Sequence, residues 1–253
     1  MSKTALITGA SSGIGREIAK QLSSRGFRVI LAARRKDRLE ELAEELEGES
    51  RVVTCDLSTR EGCFDLYEQV KDERVSVLIN NAGFGAIGNF EEIPLETELR
   101  MIDTNVTAVH ILTKLFVKDF IKADRGYILN VASSAGLMAG GPLMAAYYAT
   151  KAYVVSLTGS VNRELKNKGA NVHISALCPG PVDTEFNEVA GCEFGVGAIS
   201  AEECARAAVE GLFRKSLIIV PGTGMKAAAT LSKIVPREMV LKVAGEMQKR
   251  KTK

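Results

Sequence analysis

The residues best suited to chemistry are a tyrosine and a lysine four positions apart, Tyr147 and Lys151. On a helix these positions lie on one face, so the spacing places an ammonium group beside a phenol. A phenol with a pKa of about 10 transfers protons poorly at neutral pH, but a nearby positive charge favours its ionised form and lowers that pKa. The pattern therefore predicts that Tyr147 acts as a proton donor. Ser134 lies thirteen residues before Tyr147.

A glycine-rich segment supplies the second feature, a candidate nucleotide site. Gly9, Gly13 and Gly15 form a G-x-x-x-G-x-G pattern between the first apolar run and the first helical pattern. Glycine permits a tight turn and lets backbone N–H groups approach a pyrophosphate, while the helix N-terminus adds partial positive charge. A plain strand-to-helix turn is the alternative, but the first such turn of an α/β chain is where dinucleotides bind.

The end of the second apolar run indicates which dinucleotide is preferred. An NAD site places Asp or Glu there to bind the ribose 2′-hydroxyl, whereas this chain has Ala32-Ala33-Arg34-Arg35. Two guanidinium groups suit a 2′-phosphate, so we expect NADPH to be preferred over NADH. The alternative is that Arg34 and Arg35 are solvated residues at the start of a helix, although the helix dipole disfavours positive charge at that end. Asp56 either binds the adenine amino group or is an N-cap neighbour of the helix starting near Ser58.

Composition limits the range of functions that the chain could have. The 253 residues are 46% hydrophobic and 25% charged, with a net charge of +2, which does not suggest nucleic-acid binding. Five cysteines at wide spacing indicate free thiols, most of them buried, and two histidines leave little material for a metal site. No apolar stretch approaches the length of about 20 residues that a membrane span needs. We expect a cytoplasmic protein without a signal peptide.

Apolar runs alternate with helical patterns along most of the chain, which predicts a seven-stranded parallel sheet covered by helices on both faces. The predicted strands are Ala5–Ile7, Val29–Ala33, Arg51–Thr54, Val75–Ile79, Tyr127–Val131, Asn171–Leu177 and Leu217–Val220. The predicted helices are Gly15–Ser24, Arg38–Leu46, Glu61–Lys71, Glu96–Ile121, Tyr147–Lys166 and Ala201–Phe213. No linker or repeat interrupts this pattern, so one domain over residues 1–253 is expected.

The C-terminal residues 223–253 form a separate extension in this interpretation. Two short helices are predicted, Thr223–Ile234 and Pro236–Gln248, followed by a basic run from Lys249 to Lys253. From Met225 onward, eight Lys or Arg oppose two Glu. A solvated tail is favoured over a lid or a membrane-surface contact.

The chain resembles the short-chain dehydrogenase/reductase family from Lys3 to about Gly222. The resemblance is carried by several short motifs in the family's order and spacing. They are T-G-x-x-x-G-I-G at Thr8–Gly15, Asn80-Asn81-Ala82-Gly83, Asn105, Ser133-Ser134, Tyr147-x-x-x-Lys151 and Pro179-Gly180-Pro181-Val182-x-Thr184. The resemblance implies a doubly wound Rossmann sheet with strand order 3-2-1-4-5-6-7.

By position, the resemblance implies the catalytic residues Asn105, Ser134, Tyr147 and Lys151. Tyr147 is chosen over Tyr148 because only Tyr147 has a lysine four residues on. Ser134 is chosen over Ser133 by its spacing to the tyrosine, and alternation along a strand would let only one serine face the substrate. Tyr147 would protonate a carbonyl oxygen that Ser134 also binds, and Lys151 would assist both Tyr147 and the ribose. Asn105 would hold a water that relays protons to Lys151, or it would simply be a structural polar residue in a helix.

The implied cofactor site is larger than the glycine loop. Its predicted residues are Gly9, Ser11, Ser12, Gly13, Ile14, Gly15, Arg34, Arg35, Asp56, Leu57, Asn81, Ala82, Gly83, Tyr147, Lys151, Pro179, Gly180, Val182 and Thr184.

Three regions are expected to determine the substrate: Leu137–Ala146, Glu185–Ile199 and the C-terminal extension. Their apolar residues predict an apolar pocket under a mobile lid, or a subunit interface instead. The expected activity is interconversion of a carbonyl group (a ketone or 3-oxoacyl group) and a secondary alcohol, in a homodimer or homotetramer. The sequence also leaves open a 3-oxoacyl-carrier-protein reductase, although the long C-terminus departs from that branch. A non-catalytic redox sensor or scaffold, and a lyase or epimerase, are two further classes that fit a dinucleotide-binding chain of this kind.

Overall fold

The computed structural model describes residues 3–191, 198–222 and 235–249. Its centre is a sheet of seven strands in which each neighbouring pair is parallel. These strands are β1 (Lys3–Thr8), β2 (Phe27–Ala33), β3 (Ser50–Thr54), β4 (Val75–Asn80), β5 (Gly126–Val131), β6 (Val172–Leu177) and β9 (Ile218–Ile219). Their order is β3-β2-β1-β4-β5-β6-β9, which confirms the predicted arrangement with β9 as its seventh strand.

Both faces of the sheet are buried, as the continuous apolar runs predict. Along β1, Ala5 and Ile7 pack into one hydrophobic cluster, whereas Leu6 between them packs into a second cluster on the opposite face. This alternation follows from the two-residue period of a strand. Strands that must be apolar on both sides lie in the interior of a three-layer α/β fold.

Helices cover the two faces. Their bounds are α1 (Gly13–Ser23), α2 (Lys36–Glu45), α3 (Arg60–Val70), α4 (Leu95–Ile102), α5 (Ala108–Lys122), α6 (Ala145–Asn167), α7 (Phe186–Ala190), α8 (Ala201–Phe213) and α9 (Arg237–Lys249). Side-chain caps fix two of the starts. Thr59 accepts a hydrogen bond from the Gly62 N–H, and Ser200 accepts one from the Glu203 N–H, each at 3.0 Å. Among the described helices, none is long and apolar enough to cross a membrane.

The predicted helix Glu96–Ile121 is confirmed as a helical segment, but it is not one regular α-helix. The structure has α4 and α5 joined by a π-helical turn at Asp103–Thr107, which contains Asn105. A π turn inserts one extra residue into a helix and is frequent at functional sites. Sequence periodicity missed it because the helical character continues through the turn.

A second, two-stranded sheet was not predicted. Strand β7 (Val182–Asp183) pairs in parallel with β8 (Ile199–Ser200). The pairing brings the start of α8 beside the Pro179–Thr184 segment, at the edge of the sheet where the predicted motifs gather.

The C-terminal helix α9 confirms the second of the two helices predicted in the extension. The first, Thr223–Ile234, and the basic run after Lys249 lie outside the described residues. Helix α9 packs on the loop before α6. A Cβ placed on Gly245 would lie 3.3 Å from the Pro142 ring, and Arg237 donates a hydrogen bond to the Ala139 carbonyl at 3.3 Å. The extension therefore covers the segment that leads into the Tyr147 helix.

Candidate active site

A cavity of about 400 Å³ lies at the carboxyl ends of the strands, where open α/β sheets bind their ligands. It runs from the Gly9 loop to Gln248 and brings together nearly all of the predicted site. The predicted residues that line it are Gly9, Ser11, Ser12, Gly13, Ile14, Arg34, Arg35, Asp56, Leu57, Asn81, Ala82, Gly83, Ser134, Tyr147, Lys151, Pro179, Gly180, Val182 and Thr184. Two predicted residues, Gly15 and Asn105, lie behind this lining.

The glycine loop has the shape that a dinucleotide requires. Gly9 and Gly13 have positive φ angles of 64° and 55°, which favour glycine. A Cβ on Gly9 would lie 2.8 Å from the Cα of Ala82 and would collide with it. The N-cap of α1, Ser12, makes no side-chain cap to the first N–H groups of the helix, so these donors remain available to an anion.

Gly15 serves the packing of this loop and does not line the cavity. A Cβ there would lie 2.3 Å from Asn81 Nδ2 and 2.4 Å from the Gly9 carbonyl oxygen, so no other side chain fits. Asn81 Nδ2 donates to the carbonyls of Thr8 and Gly9, each at 3.0 Å. This amide ties the end of β4 to the end of β1 and holds the loop in place.

The two arginines come directly before α2, with Arg35 at the N-cap position of this helix. The structure adds a carboxylate that the local sequence did not reveal. Arg35 donates to Glu185 Oε2 at 2.8 Å and to Ser11 Oγ at 3.3 Å. The hydrogen bond from Arg35 lowers the pKa of Glu185, so the carboxylate is ionised at neutral pH. Arg35 thus already holds an anionic partner at the place expected for a 2′-phosphate.

Asp56 follows β3 and lines the same end of the cavity. Its Oδ1 accepts hydrogen bonds from the Ser58 N–H at 3.0 Å and the Ser58 hydroxyl at 2.8 Å. The helix beyond it begins at Arg60, with Thr59 as the N-cap. Asp56 therefore closes a turn before the helix and is not its N-cap, and one carboxylate oxygen of Asp56 takes no part in these two bonds.

Lys151 is buried beneath the end of the cavity that Tyr147 lines. It is 5% exposed, and its Nζ donates to the Val131 carbonyl at 3.0 Å. Burial lowers the pKa of Lys151 to about 8, so the side chain is mostly protonated at neutral pH. Its Nζ lies 5.7 Å from the centroid of the Tyr147 ring, which places a cation beside the phenol as the spacing predicted.

Asn105 is fully buried in the π turn and joins three segments of the site. Its Oδ1 accepts from the Phe84 N–H at 3.1 Å, and its Nδ2 donates to the Phe84 carbonyl at 2.9 Å and to Thr150 Oγ1 at 3.2 Å. Gly83 borders both this amide and the lysine. A Cβ on Gly83 would lie 2.8 Å from Asn105 Oδ1 and 3.4 Å from Lys151 Nζ.

The strand argument for choosing between the two serines is wrong, although both serines line the cavity. Strand β5 ends at Val131, and Ser134 begins a 3₁₀ turn over Ser134–Leu137. Ser133 caps this turn by accepting from the Ala135 N–H at 3.2 Å, and the Ser134 N–H donates to the Pro179 carbonyl at 2.8 Å. The two serines differ because the Ser133 hydroxyl is engaged in this cap, and not because they alternate along a strand.

A buried polar network beneath the site was not predicted. Asn80 Nδ2 donates to Thr113 Oγ1 at 3.1 Å and to Asn130 Oδ1 at 2.9 Å, and Asn130 Nδ2 donates to Thr158 Oγ1 at 3.0 Å. The network fixes the ends of β4 and β5 against α5 and α6. The sequence feature that could have indicated this network is the asparagine at or near the end of each of two apolar strands.

The other end of the cavity is apolar, with two polar exceptions. Phe186 packs on Tyr147 with ring centroids 5.6 Å apart, and Met144 also lines this end. The exceptions are Tyr148 and Gln248, whose Nε2 donates to the Tyr148 hydroxyl at 2.8 Å. The predicted apolar pocket is therefore present, and the C-terminal extension contributes one wall of it.

Of the four cysteines that the structure describes, Cys55 lines the cavity and the other three do not. Cys63, Cys178 and Cys204 are buried and Cys55 is partly buried, all as free thiols, while Cys192 lies outside the described residues. Burial raises the pKa of Cys178 to about 12, so this thiol, whose charge would interact with Lys151, stays protonated. Within the described ranges, no group of three His, Cys, Asp or Glu residues is placed to hold a metal ion.

Comparison with known proteins agrees with this geometry. The short chain dehydrogenase family model matches residues 3–193. An uncharacterised oxidoreductase of Staphylococcus epidermidis is 33% identical over 221 residues, which cover 86% of this chain and 94% of that protein. The 3-oxoacyl-[acyl-carrier-protein] reductase of Rickettsia prowazekii is 32% identical over 186 residues, covering 74% and 75% of the two chains.

Solved structures match the fold over nearly its whole length. A short-chain dehydrogenase from Sphingobium yanoikuyae in complex with NADPH superposes with a TM-score of 0.81 at 30% identity, covering 93% of this chain and 97% of the other. One from Burkholderia phymatum in complex with NAD gives 0.83 at 27% identity, with 91% and 92% coverage. The bulky-bulky ketone specific alcohol dehydrogenase from Comamonas testosteroni gives 0.77 at 29%, with 93% and 95% coverage. This chain belongs to the short-chain dehydrogenase/reductase family, as an NAD(P)-dependent oxidoreductase of the CH–OH/C=O class.

Proposed function

We propose that the protein is an NADPH-preferring reductase of apolar ketones, with Tyr147 as its general acid. The observation that carries this proposal is the meeting of Ser134, Tyr147 and Lys151 with the glycine loop in one cavity. The fit to a dinucleotide rests on the loop itself, where Gly9 has a positive φ and approaches Ala82 too closely for any Cβ. In that cavity a carbonyl group can meet a proton donor beside a bound nucleotide.

A nicotinamide dinucleotide bound along the glycine loop would supply the hydride that the carbonyl carbon receives. Tyr147 gives its phenolic proton to the carbonyl oxygen, which becomes the alcohol hydroxyl, and Tyr147 is left as a phenolate. Ser134 donates a hydrogen bond to the same oxygen and stabilises its developing charge. Protonated Lys151 stabilises the phenolate, since the two groups are close and the site is shielded from water.

Asn105 keeps this centre in position. It holds the Phe84 backbone on one side and Thr150, next to Lys151, on the other. Its Oδ1 has a second lone pair, and both that oxygen and Lys151 Nζ border Gly83. We propose that the Tyr147 phenolate regains its proton from Lys151 after each turnover, and that a water held between Asn105 Oδ1 and Lys151 Nζ relays a replacement proton from solvent to Lys151.

The preference for NADPH rests on Arg34 and Arg35 at the start of α2. A 2′-phosphate would accept hydrogen bonds from these guanidinium groups. One of them, Arg35, is bound to Glu185 in the structure. The solved relatives include both an NADPH complex and an NAD complex, so family membership alone does not set this preference.

The proposed substrate is a bulky apolar ketone. Met144, Phe186 and Val189 line the pocket next to Tyr147, and helix α9 covers it. The ketone-specific structural relative from Comamonas testosteroni supports this choice. A 3-oxoacyl thioester is the second candidate substrate, because the carrier-protein reductase of Rickettsia prowazekii is similar to this chain.

The test is NADPH consumption with a panel of aryl ketones, diketones, oxosteroids and 3-oxoacyl thioesters, with NADH measured in parallel. We expect turnover with the ketones and faster turnover with NADPH than with NADH. Faster reduction of 3-oxoacyl thioesters would select the second candidate. Tight NADPH binding without turnover of any carbonyl would contradict the proposal and favour a dinucleotide sensor.

We also propose that the protein is a homo-oligomer. Leu95, Leu99 and Ile102 of α4 are large apolar residues, 69%, 45% and 39% exposed, and they support an interface on this helix. Light scattering coupled to size-exclusion chromatography is expected to give the mass of a dimer or tetramer. A mass equal to one chain would contradict this proposal.

A further inference from the structure

We infer that Gln248 and Tyr148 form a polar subsite that recognises a second oxygen function on the ketone, most simply a hydroxyl group. The inference rests on the proposed reductase function and extends it to the class of substrate. It makes Gln248 of the C-terminal helix a specificity-determining residue.

The pair lies beside the proposed proton donor. Tyr148 follows Tyr147 on α6, and the centroids of their rings are 6.4 Å apart at an interplanar angle of 77°. Gln248 reaches the same wall from α9, one hundred positions later in the chain. Both side chains line the cavity, and they are 8% and 3% exposed.

The hydrogen-bonding capacity of the pair is incompletely used. The Tyr148 hydroxyl accepts from Gln248 Nε2, which leaves its own O–H to donate. Gln248 Oε1 is buried and has no hydrogen-bond partner among the residues that the structure describes. The pair therefore leaves one donor and one acceptor for a ligand hydroxyl, at a wall of the cavity that is otherwise apolar.

A purely structural role explains these observations less well. Val240 and Ala244, which precede Gln248 at four-residue spacing, are apolar and already bury this face of α9. A leucine at position 248 would continue that face, whereas a buried amide oxygen without a partner destabilises the protein. A bound molecule that donates a hydrogen bond to Gln248 Oε1 would remove this destabilisation and would explain why a glutamine occupies the position.

The experiment compares propiophenone with its derivatives that carry a hydroxyl on the side chain or at the meta or para position of the ring. Wild-type enzyme is expected to favour at least one hydroxylated ketone in kcat/KM by about tenfold, the effect of one buried hydrogen bond. Gln248→Leu and Tyr148→Phe should each remove this preference. The double variant should lose no more than either single variant, because the pair acts as one unit.

Met247→Leu is the matched control, since Met247 is adjacent on α9 but 53% exposed. It should keep the wild-type preference. The inference is overturned if wild-type enzyme treats all four ketones alike, or if Gln248→Leu and Tyr148→Phe lower kcat/KM equally for every ketone.

Binding separates this inference from the proposed reductase function. In Tyr147→Phe enzyme saturated with NADP, calorimetry should show tighter binding of the favoured hydroxylated ketone than of propiophenone. Adding Gln248→Leu should equalise the two affinities. Wild-type enzyme that reduces none of the ketones would refute the reductase proposal, and equal affinities in Tyr147→Phe would refute the subsite.

Discussion

The two ends of the cavity are built by opposite means. At the catalytic end Asn105, Lys151 and Tyr147 are 0%, 5% and 9% exposed, and hydrogen bonds to backbone hold the first two in place. At the nucleotide end Arg35 and Glu185 have side chains that are 45% and 37% exposed. Burial strengthens electrostatic effects and fixes geometry, whereas exposed ion pairs are weak and exchangeable. In the proposed function, the catalytic groups are therefore in place before a ligand arrives, and the nucleotide is chosen by competition among exposed charges.

The strongest test of the catalytic end is Tyr147→Phe. We expect kcat to fall by about 10²–10⁴-fold, because the proton donor is lost while the packing of the ring is kept. The dissociation constant for NADPH, measured by fluorescence titration, should change little. Tyr153→Phe, at a half-exposed tyrosine of the same helix, is the control and should keep wild-type kcat. Normal turnover by Tyr147→Phe would remove the assignment.

Lys151→Met tests the claim that burial sets the ionisation at this end. The folded pKa is about 8 and the ordinary value is 10.5, so above pH 8 the unfolded state binds more protons than the folded state. The penalty for the buried charge is present below pH 8 and disappears as pH rises to about 10.5. Relative to Lys151→Met, wild-type protein should therefore gain up to about 3 kcal/mol of unfolding free energy over this range.

Urea unfolding of wild type and Lys151→Met at several pH values from 7 to about 10.5 measures this difference in unfolding free energy. Titratable groups that both proteins share contribute equally to each and cancel in the difference. Lys166→Met removes an exposed lysine from the same helix and should show no such trend. A constant difference between wild type and Lys151→Met across the range would contradict the lowered pKa.

The exposed end is tested by replacing both Arg34 and Arg35 with alanine. The ratio of kcat/KM with NADPH to that with NADH should fall by at least about tenfold, since a charge-assisted contact to the 2′-phosphate is lost. Arg206→Ala, at an exposed position of α8, should leave the ratio unchanged. An unaltered ratio in the double variant would mean that other residues hold the 2′-phosphate.

The smallest effect is expected for Glu185→Gln. Removing the carboxylate frees Arg35 from a competitor, so NADPH should bind a few-fold more tightly while NADH binding stays constant. Fluorescence titration with both nucleotides measures the difference. Equal changes for the two nucleotides would show that Glu185 acts on the loop as a whole and does not compete with the phosphate.

Sequence reasoning succeeded where the signal is local. Apolar runs defined the strands, and four-residue spacing placed Lys151 beside Tyr147. It failed for contacts between distant positions, such as Arg35 with Glu185, 150 residues apart, and Tyr148 with Gln248. No periodicity encodes such pairs, because they depend on how the segments pack after the sheet has formed.

The serine pair shows a different kind of failure. The predicted strand and β5 both end at Val131, so strand alternation was applied to two serines that lie beyond the strand, where a 3₁₀ turn begins at Ser134. The conformation of such a turn depends on capping bonds of single residues, here the Ser133 hydroxyl with the Ala135 N–H. Ser134 was therefore selected by its spacing to the tyrosine, and the geometric distinction from Ser133 came only from the structure.

The π turn at Asp103–Thr107 also determines how tolerant this region is to changes in length. It holds one residue more than a regular turn, so deleting a single residue there would let α4 and α5 join as one continuous α-helix. A π turn winds through a smaller angle per residue than an α-helix, so its extra residue adds almost nothing to the total rotation. After the deletion Met101 would therefore stay on the buried side of α4, and the change would fall on the turn itself, where Asn105 contacts Phe84 and Thr150. The surplus residue is a local feature whose removal need not turn one half of the long helix against the other.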